Sequence, residues 1–231
     1  MGANIDALCV ITAPGSTWNP VAIDRMLAAA TVQSIPTSLI VNKCDLDFSE
    51  IEEMISTYSK LGINLIMCSA KSGDGIDEIR ALIEDPYVSV AALCGVSGVG
   101  KSTILNRLIP SAKTRTGEVS ERTGQGRQTT SQPRGFVYPS SKDSDPLSPP
   151  KIVIDLPGVQ FFGLAHLDER DVIDAFSEIK EIGLDCRFRD CAHIKERSCA
   201  VRAAVESGAI ARWRYQSYLQ ILEEIKEAKE Y

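Results

Sequence analysis

Short apolar runs separated by amphipathic stretches organise the first two thirds of the chain. Residues 7–11 (ALCVI), 38–41 (SLIV), 64–68 (NLIMC), 88–94 (VSVAALC), 134–138 (RGFVY) and 151–155 (KIVID) read as strands. The stretches PVAIDRMLAAATV and SEIEEMISTYSKLG carry apolar residues at helical spacing, and another helix is predicted to begin near Ser102. Strands alternating with helices predict βαβ units, hence an α/β fold with a mainly parallel sheet and flanking helices. Most of these strands end at a polar or glycine-rich motif, where open α/β sheets hold their ligands. That recurrence predicts a single site.

Elsewhere the pattern weakens. Residues 111–135 are rich in Thr, Gly, Ser and Arg and read as a mobile loop. Residues 139–150 (PSSKDSDPLSPP) read as a disordered connection between two strands. From about residue 164 the pattern turns helical, so the chain is expected to divide into domains 1–163 and 164–231. The tail IARWRYQSYLQILEEIKEAKE predicts one long helix packed through Tyr215, Tyr218, Leu219 and Leu222.

Composition narrows the class. The chain has 231 residues, 44% apolar and 24% charged, as in a soluble globular protein. Its net charge of −6 confines any nucleic-acid contact to local basic patches. No apolar run approaches the ~20 residues that span a bilayer. The opening MGANIDALCV has no secretory pattern, so no targeting peptide is expected. Of the seven cysteines, Cys9, Cys44, Cys68 and Cys94 sit singly in or beside apolar runs, as buried thiols of a reducing compartment would.

The candidate chemistry begins at GVSGVGKS, Gly95 to Ser102, which matches G-x-x-x-x-G-K-[ST] between a strand and a helix. Backbone N–H groups of Gly95, Ser97, Gly98, Val99 and Gly100 can turn inward around phosphate oxygens, aided by the helix N-terminus that includes Thr103. Lys101 would reach the β- and γ-phosphates, and the Ser102 hydroxyl would hold Mg²⁺. Downstream, DLPG at 155–158 offers Asp155 to Mg²⁺, directly or through water, and the Gly158 N–H to the γ-phosphate.

Upstream lies NKCD at 42–45. A carboxylate at Asp45 can accept hydrogen bonds from guanine N1–H and its exocyclic amine, whereas adenine offers no donor at those positions. Asn42 would contact the base or tether the phosphate loop, and the Lys43 stem would cover the ring. Ser69, Ala70 and Lys71 follow another strand, and their backbone N–H groups can meet guanine O6. The order along the chain is base, base, phosphate, magnesium. A sheet does not record chain order, so the sequence predicts a circularly permuted P-loop GTPase domain.

Cys186-x4-Cys191-x-His193-x5-Cys199 supplies three thiolates and one imidazole, the ligand set of a closed tetrahedral zinc site. Four protein ligands leave no open position, which predicts a structural Zn²⁺ in a small helical C-terminal domain. Around it lie Arg187, Phe188, Arg189, Lys195, Arg197 and Arg202, with Arg212, Trp213 and Arg214 later. Arginine interleaved with aromatic residues can grip phosphate and stack on unpaired bases; a solvated basic face is the alternative.

These motifs together resemble the circularly permuted GTPases of ribosome small-subunit biogenesis, the YjeQ/RsgA family. The resemblance rests on NKCDL, SAKSGDGI, GVSGVGKSTILN, TGEVSERTGQGRQTT, DLPGVQFFGL and the segment from Cys186 to Leu219. It implies a GTP hydrolase acting late in small-subunit maturation, stimulated by ribosome and rRNA contact, cytoplasmic or in an organelle stroma or matrix, and monomeric. The alternative is a GTP-dependent rRNA-binding switch with negligible hydrolysis; an ATP-using reading is disfavoured by Asp45. Family members usually begin with an OB-fold, which is expected to be missing here. They also carry a histidine in a G-[KR]-H-T-T pattern, where this chain has Gln128 in Gly126-Arg127-Gln128-Thr129-Thr130. Val159 follows DLPG, so no side-chain amide can orient water there. Gln128 is the candidate for that task, with Thr129 or Thr130 helping to bind Mg²⁺; a solvated loop glutamine is the alternative. His166 reads as a structural residue.

Overall fold

The computed structural model describes residues 5–114, 132–139, 149–158, 164 and 167–229. Gln128, Thr129, Thr130, Val159 and His166, with most of the two segments read as loop and connection, lie outside that set.

The chain forms two compact units, Met1–Asn19 with Ile35–Phe161, and Pro20–Ser34 with Phe162–Tyr231. The first is built on strands β1 (Ala7–Thr12), β2 (Thr37–Val41), β3 (Asn64–Met67), β4 (Val90–Gly95), β5 (Arg134–Val137) and β6 (Ile152–Asp155). They form one sheet in the order β3-β2-β1-β4-β6-β5. Every pairing is parallel except that of the edge strand β5 with β6.

The polar side chains of the interior strands, Thr12, Thr37, Ser38 and Asp155, lie at or next to strand ends. β1 is buried along its whole length, as a parallel strand covered on both faces must be. Cys9, Leu93, Cys94 and Val153 are fully buried, and Ile79, Ile83, Ile104 and Leu105 belong with them to the core. The last four come from α3 (Ile76–Ile83) and α4 (Lys101–Leu108), which follow α2 (Glu52–Lys60) along the chain and whose apolar residues recur at helical spacing. Burial pushes the Cys9 and Cys68 thiols up to about 12, so both remain protonated hydrophobes. Cys44 differs from expectation. It lies beyond the end of β2 and is only half-buried.

Register brings the motifs to one edge. Thr12 pairs with Val41, Val41 with Met67, Ile11 with Gly95, and Leu93 with Asp155. NKCD, SAK, the phosphate loop and DLPG therefore all begin at the same end of the sheet.

The second unit is helical: α1 (Pro20–Val32), α5 (Glu169–Ala175), α6 (Ser177–Gly183), α7 (Ala200–Ser207) and α8 (Arg212–Lys229). The expected single division at 163/164 is corrected here, because α1 packs along α8 and α5 and belongs with the C-terminal residues. Linear sequence hid this, since α1 sits between two strands of the other unit. An Asp168 capping box starts α5, its carboxylate accepting from Asp171 N at 2.8 Å and its N–H donating to Asp171 at 2.9 Å.

Arg214 is the anchor of this unit. It is 4% exposed, its Nη1 donates to Asp24 of α1, its Nε donates to Glu178 of α6 at 2.7 Å, and its guanidinium lies 4.3 Å from the Phe176 ring. This corrects the reading of Arg214 as an RNA-facing residue. Its helical phase explains the outcome, because Arg214, Ser217, Tyr218, Ile221, Leu222 and Ile225 form one buried stripe.

Candidate nucleotide site and metal cluster

Asn42, just past β2, is 2% exposed and joins two other motifs. Its amide Nδ2 donates to Val99 O at 2.7 Å, and its Oδ1 accepts from Ala70 N at 2.9 Å. Gly100 makes this approach possible: it takes φ +92°, and a Cβ there would lie 2.2 Å from Asn42 Nδ2. Lys43 has φ 62°, uncommon outside glycine, and its ammonium donates to Gly98 O at 2.7 Å. Both residues thus strap the phosphate loop. Partial burial lowers the Lys43 pKa, with the Asp45 charge working the other way.

Asp45 is exposed and accepts from Ser69 Oγ at 2.6 Å. That bond, more than the nearby Lys71 and Lys43 charges, holds its carboxyl below the usual carboxylate range. The strand end at SAK is partly spoken for, since the Ala70 N–H goes to Asn42. Arg107 of α4 also donates to the Ala70 and Lys71 carbonyls.

On the phosphate side, Lys101 at the start of α4 forms an ion pair with Asp155, the last residue of β6. Asp155 is 2% exposed, so the Lys101 ammonium stands where water would otherwise meet its carboxyl group. Thr103 N donates to Gly100 O at 3.0 Å, closing the first turn of α4. Gly158 comes near the root of the loop, where a Cβ would lie 3.6 Å from Gly95 O. Ser102 offers a hydroxyl on the same first turn, and hydroxyl with carboxylate is an all-oxygen set suited to Mg²⁺.

In the helical unit, Cys186, Cys191, His193 and Cys199 converge with all ligand atoms within 4.8 Å of one another. A tetrahedral ion at zinc bond lengths sets S···S edges of roughly 3.8 Å and S···N edges of roughly 3.6 Å. Cys186 and Cys199 Sγ are 3.8 Å apart, and each lies 3.5 Å from His193 Nδ1. Those three donors therefore fit an ion of that size, with Nδ1 as the ligating nitrogen, and Cys191 completes the set of four within 4.8 Å. Gly183 makes room for the ring, because a Cβ there would come within 3.1 Å of His193 Nε2.

Supports around the cluster escaped the sequence reading. The Glu196 carboxylate accepts from the backbone N–H groups of Ala192, Ile194 and Lys195 at 2.8–3.0 Å. Tyr215 OH donates to His193 O at 2.6 Å, and Tyr218 OH to Ala192 O at 2.9 Å. An acidic residue between the third and fourth ligands was the available signal for Glu196. Arg187, Arg189, Lys195, Arg197 and Arg212 are exposed, whereas Arg202 and Trp213 are half-buried.

The RsgA GTPase family model matches residues 1–165. The chain belongs to the RsgA GTPase family. It is 35% identical over 99% of its length to "Small ribosomal subunit biogenesis GTPase RsgA" of Haemophilus influenzae, and 37% identical over 98% to the protein of that name in Pseudomonas putida. It spans 64% of the length of each of these two relatives. A crystal structure of YjeQ from Thermotoga maritima matches with a TM-score of 0.71 and 25% identity, over 96% of this chain and 72% of that one. YloQ, described as a circularly permuted GTPase, matches with a TM-score of 0.64 and 26% identity, over 96% of this chain and 68% of that one. No helix among the described residues is long and apolar enough to cross a membrane.

Proposed function

We propose that this chain binds GTP with Mg²⁺ at the edge of its sheet and hydrolyses it slowly alone. Contact with the small ribosomal subunit and its rRNA would accelerate the reaction during late maturation of that subunit. The observation that carries this reading is the Asn42 strap, which ties the base-reading strand ends to Val99 of the phosphate loop. Such coupling is what a guanine nucleotide spanning both would require.

In this reading Asp45 accepts from guanine N1–H and the exocyclic amine, and the carboxylate that Ser69 keeps ionised is ready to do so. Gly95, Ser97, Gly98, Val99 and Gly100 surround the phosphates, with Ser102 and Thr103 opening the helix beyond them. Lys101 turns from Asp155 toward the β- and γ-phosphates. Ser102 and Asp155 would hold Mg²⁺, which when bound supplies charge neutralisation across the phosphate oxygens. Gln128 orients the attacking water, and Thr129 or Thr130 joins the magnesium ligands. Zn²⁺ is the ion proposed for the cysteine–histidine cluster, and the exposed arginines beside it form the rRNA-facing surface.

The deciding measurement is GTP turnover with and without purified small ribosomal subunits, with ATP as competitor. Slow turnover that rises on addition of subunits and ignores ATP is expected. Turnover insensitive to subunits, or competition by ATP, overturns the proposal. Single-turnover hydrolysis by Gln128→Ala tests the catalytic assignment; an unchanged rate with unchanged binding removes Gln128 from it.

A further inference from the structure

Arg107 sits in the last turn of α4, the helix whose first turn carries Lys101 and Ser102. Its side chain reaches the base-reading strand end. Nε donates to Ala70 O at 2.9 Å, and Nη2 donates to Lys71 O at 2.6 Å. The grip is reciprocal in kind, because Arg80 of α3 donates through Nη2 to Arg107 O at 2.9 Å. One guanidinium therefore holds SAK from the phosphate helix, and a second holds the end of that helix from the element following SAK. Arg80 is itself steadied by Asp77, at 2.8 Å.

The Ala70–Lys71 peptide is trans. Its N–H, that of Lys71, therefore points to the side opposite the carbonyl that Arg107 grips. The Ala70 N–H is already used by Asn42, whereas the Lys71 N–H has no acceptor among the described residues. A cation on the carbonyl of a peptide draws electron density from its nitrogen and strengthens its N–H as a donor. It also fixes the orientation of that N–H. We infer that Arg107 is a positioning residue for base recognition, holding and polarising the peptide whose N–H meets the carbonyl oxygen at the six-position of guanine.

This rests on the guanine-nucleotide reading above and adds to it a residue outside the motifs that suggested it. It also gives α4 two tasks. Its N-terminus faces the phosphates, and its C-terminal turn sets the base-reading edge.

The test compares two diphosphates differing at that oxygen. Affinities of the wild-type chain, Arg107→Ala and Arg107→Lys are measured for GDP and for 2-aminopurine riboside diphosphate, which keeps the exocyclic amine and lacks the six-oxygen. It also lacks the N1–H, a loss that is the same for all three chains and cancels when each variant is compared with wild type. Arg107 is exposed, so Arg107→Ala is expected to fold, which its thermal melt checks. Arg107→Ala should weaken GDP about tenfold and the aminopurine analogue less than about twofold. Arg107→Lys, a point donor without the fork, should fall between. Equal loss for both nucleotides, or no loss for either, overturns the inference while leaving the guanine reading intact. A wild-type chain that binds neither nucleotide, or prefers the analogue, overturns both together.

Discussion

The two candidate sites are assembled on opposite principles. The nucleotide site draws Asn42, Ser69, Val99 and Asp155 from the ends of different strands, so its geometry exists only once the sheet has formed. The candidate metal cluster draws all its ligands from the stretch between Cys186 and Cys199, braced by Glu196, Tyr215 and Tyr218. Left-handed non-glycine residues occur in both, Lys43 in one and His193 and Ser198 in the other. At Lys43 that conformation is held by a preformed core and a bond to Gly98; at the knuckle it is held by Glu196 and the two tyrosines, to which the proposed ion would add. One site is a product of the fold, and the other, with its proposed ion, would be part of its cause.

If that contrast is right, removing the metal should have the largest effect of any perturbation here. Apparent binding free energies for structural zinc are on the order of 10 kcal/mol, so chelation or Cys199→Ser should melt the helical unit. Circular dichroism should lose helix, while GDP affinity changes by less than about threefold. Loss of GDP binding on chelation would break the comparison.

Next comes Arg214→Ala. It removes the cation from between two carboxylates in a buried setting and should cost about 3–5 kcal/mol in the melt of the helical unit. A cost near that of a surface ion pair, under about 1 kcal/mol, would return Arg214 to the surface.

Asp45→Asn acts on the other site. An amide can accept from guanine at one position only, and its NH₂ would oppose the exocyclic amine. GDP affinity should fall about a hundredfold, with xanthosine diphosphate gaining, and the melt should not move.

The smallest effect concerns pH. The Ser69 hydrogen bond lowers the Asp45 pKa, so the carboxylate stays charged as pH falls and loses its charge only on passing through that lowered value. GDP affinity should therefore be flat from neutral down through about pH 5. Ser69→Ala should move the acid limb of the titration upward. An unmoved limb would separate Ser69 from Asp45.

Much of the nucleotide site was legible because strand ends and motif residues coincide. The parallel βαβ pattern fixed where 42, 69, 95 and 155 must gather, whatever their order. Arg107 was not legible, since nothing in an exposed helical arginine announces which carbonyls it will reach. Arg214 misled for a related reason: flanked by Trp213 and Tyr215 it looks like a stacking surface. Counting forward by four and seven to Tyr218 and Ile221 would have put it on the buried stripe. The partition of α1 was hidden because assignment to a unit depends on partners such as Arg214, far along the chain.

The placement of α1 bears on modularity. Three covalent crossings, after Asn19, Ser34 and Phe161, tie the two units into one discontinuous whole. Asp24 and Arg25, which reach Arg214 and Glu224, travel with the sequence of the first unit even though they serve the second. The unit with the cysteine–histidine cluster therefore cannot be excised, swapped or inherited as a cassette beginning at residue 164. Any exchange of it between relatives would have to carry the inserted helix along, or replace its carboxylate.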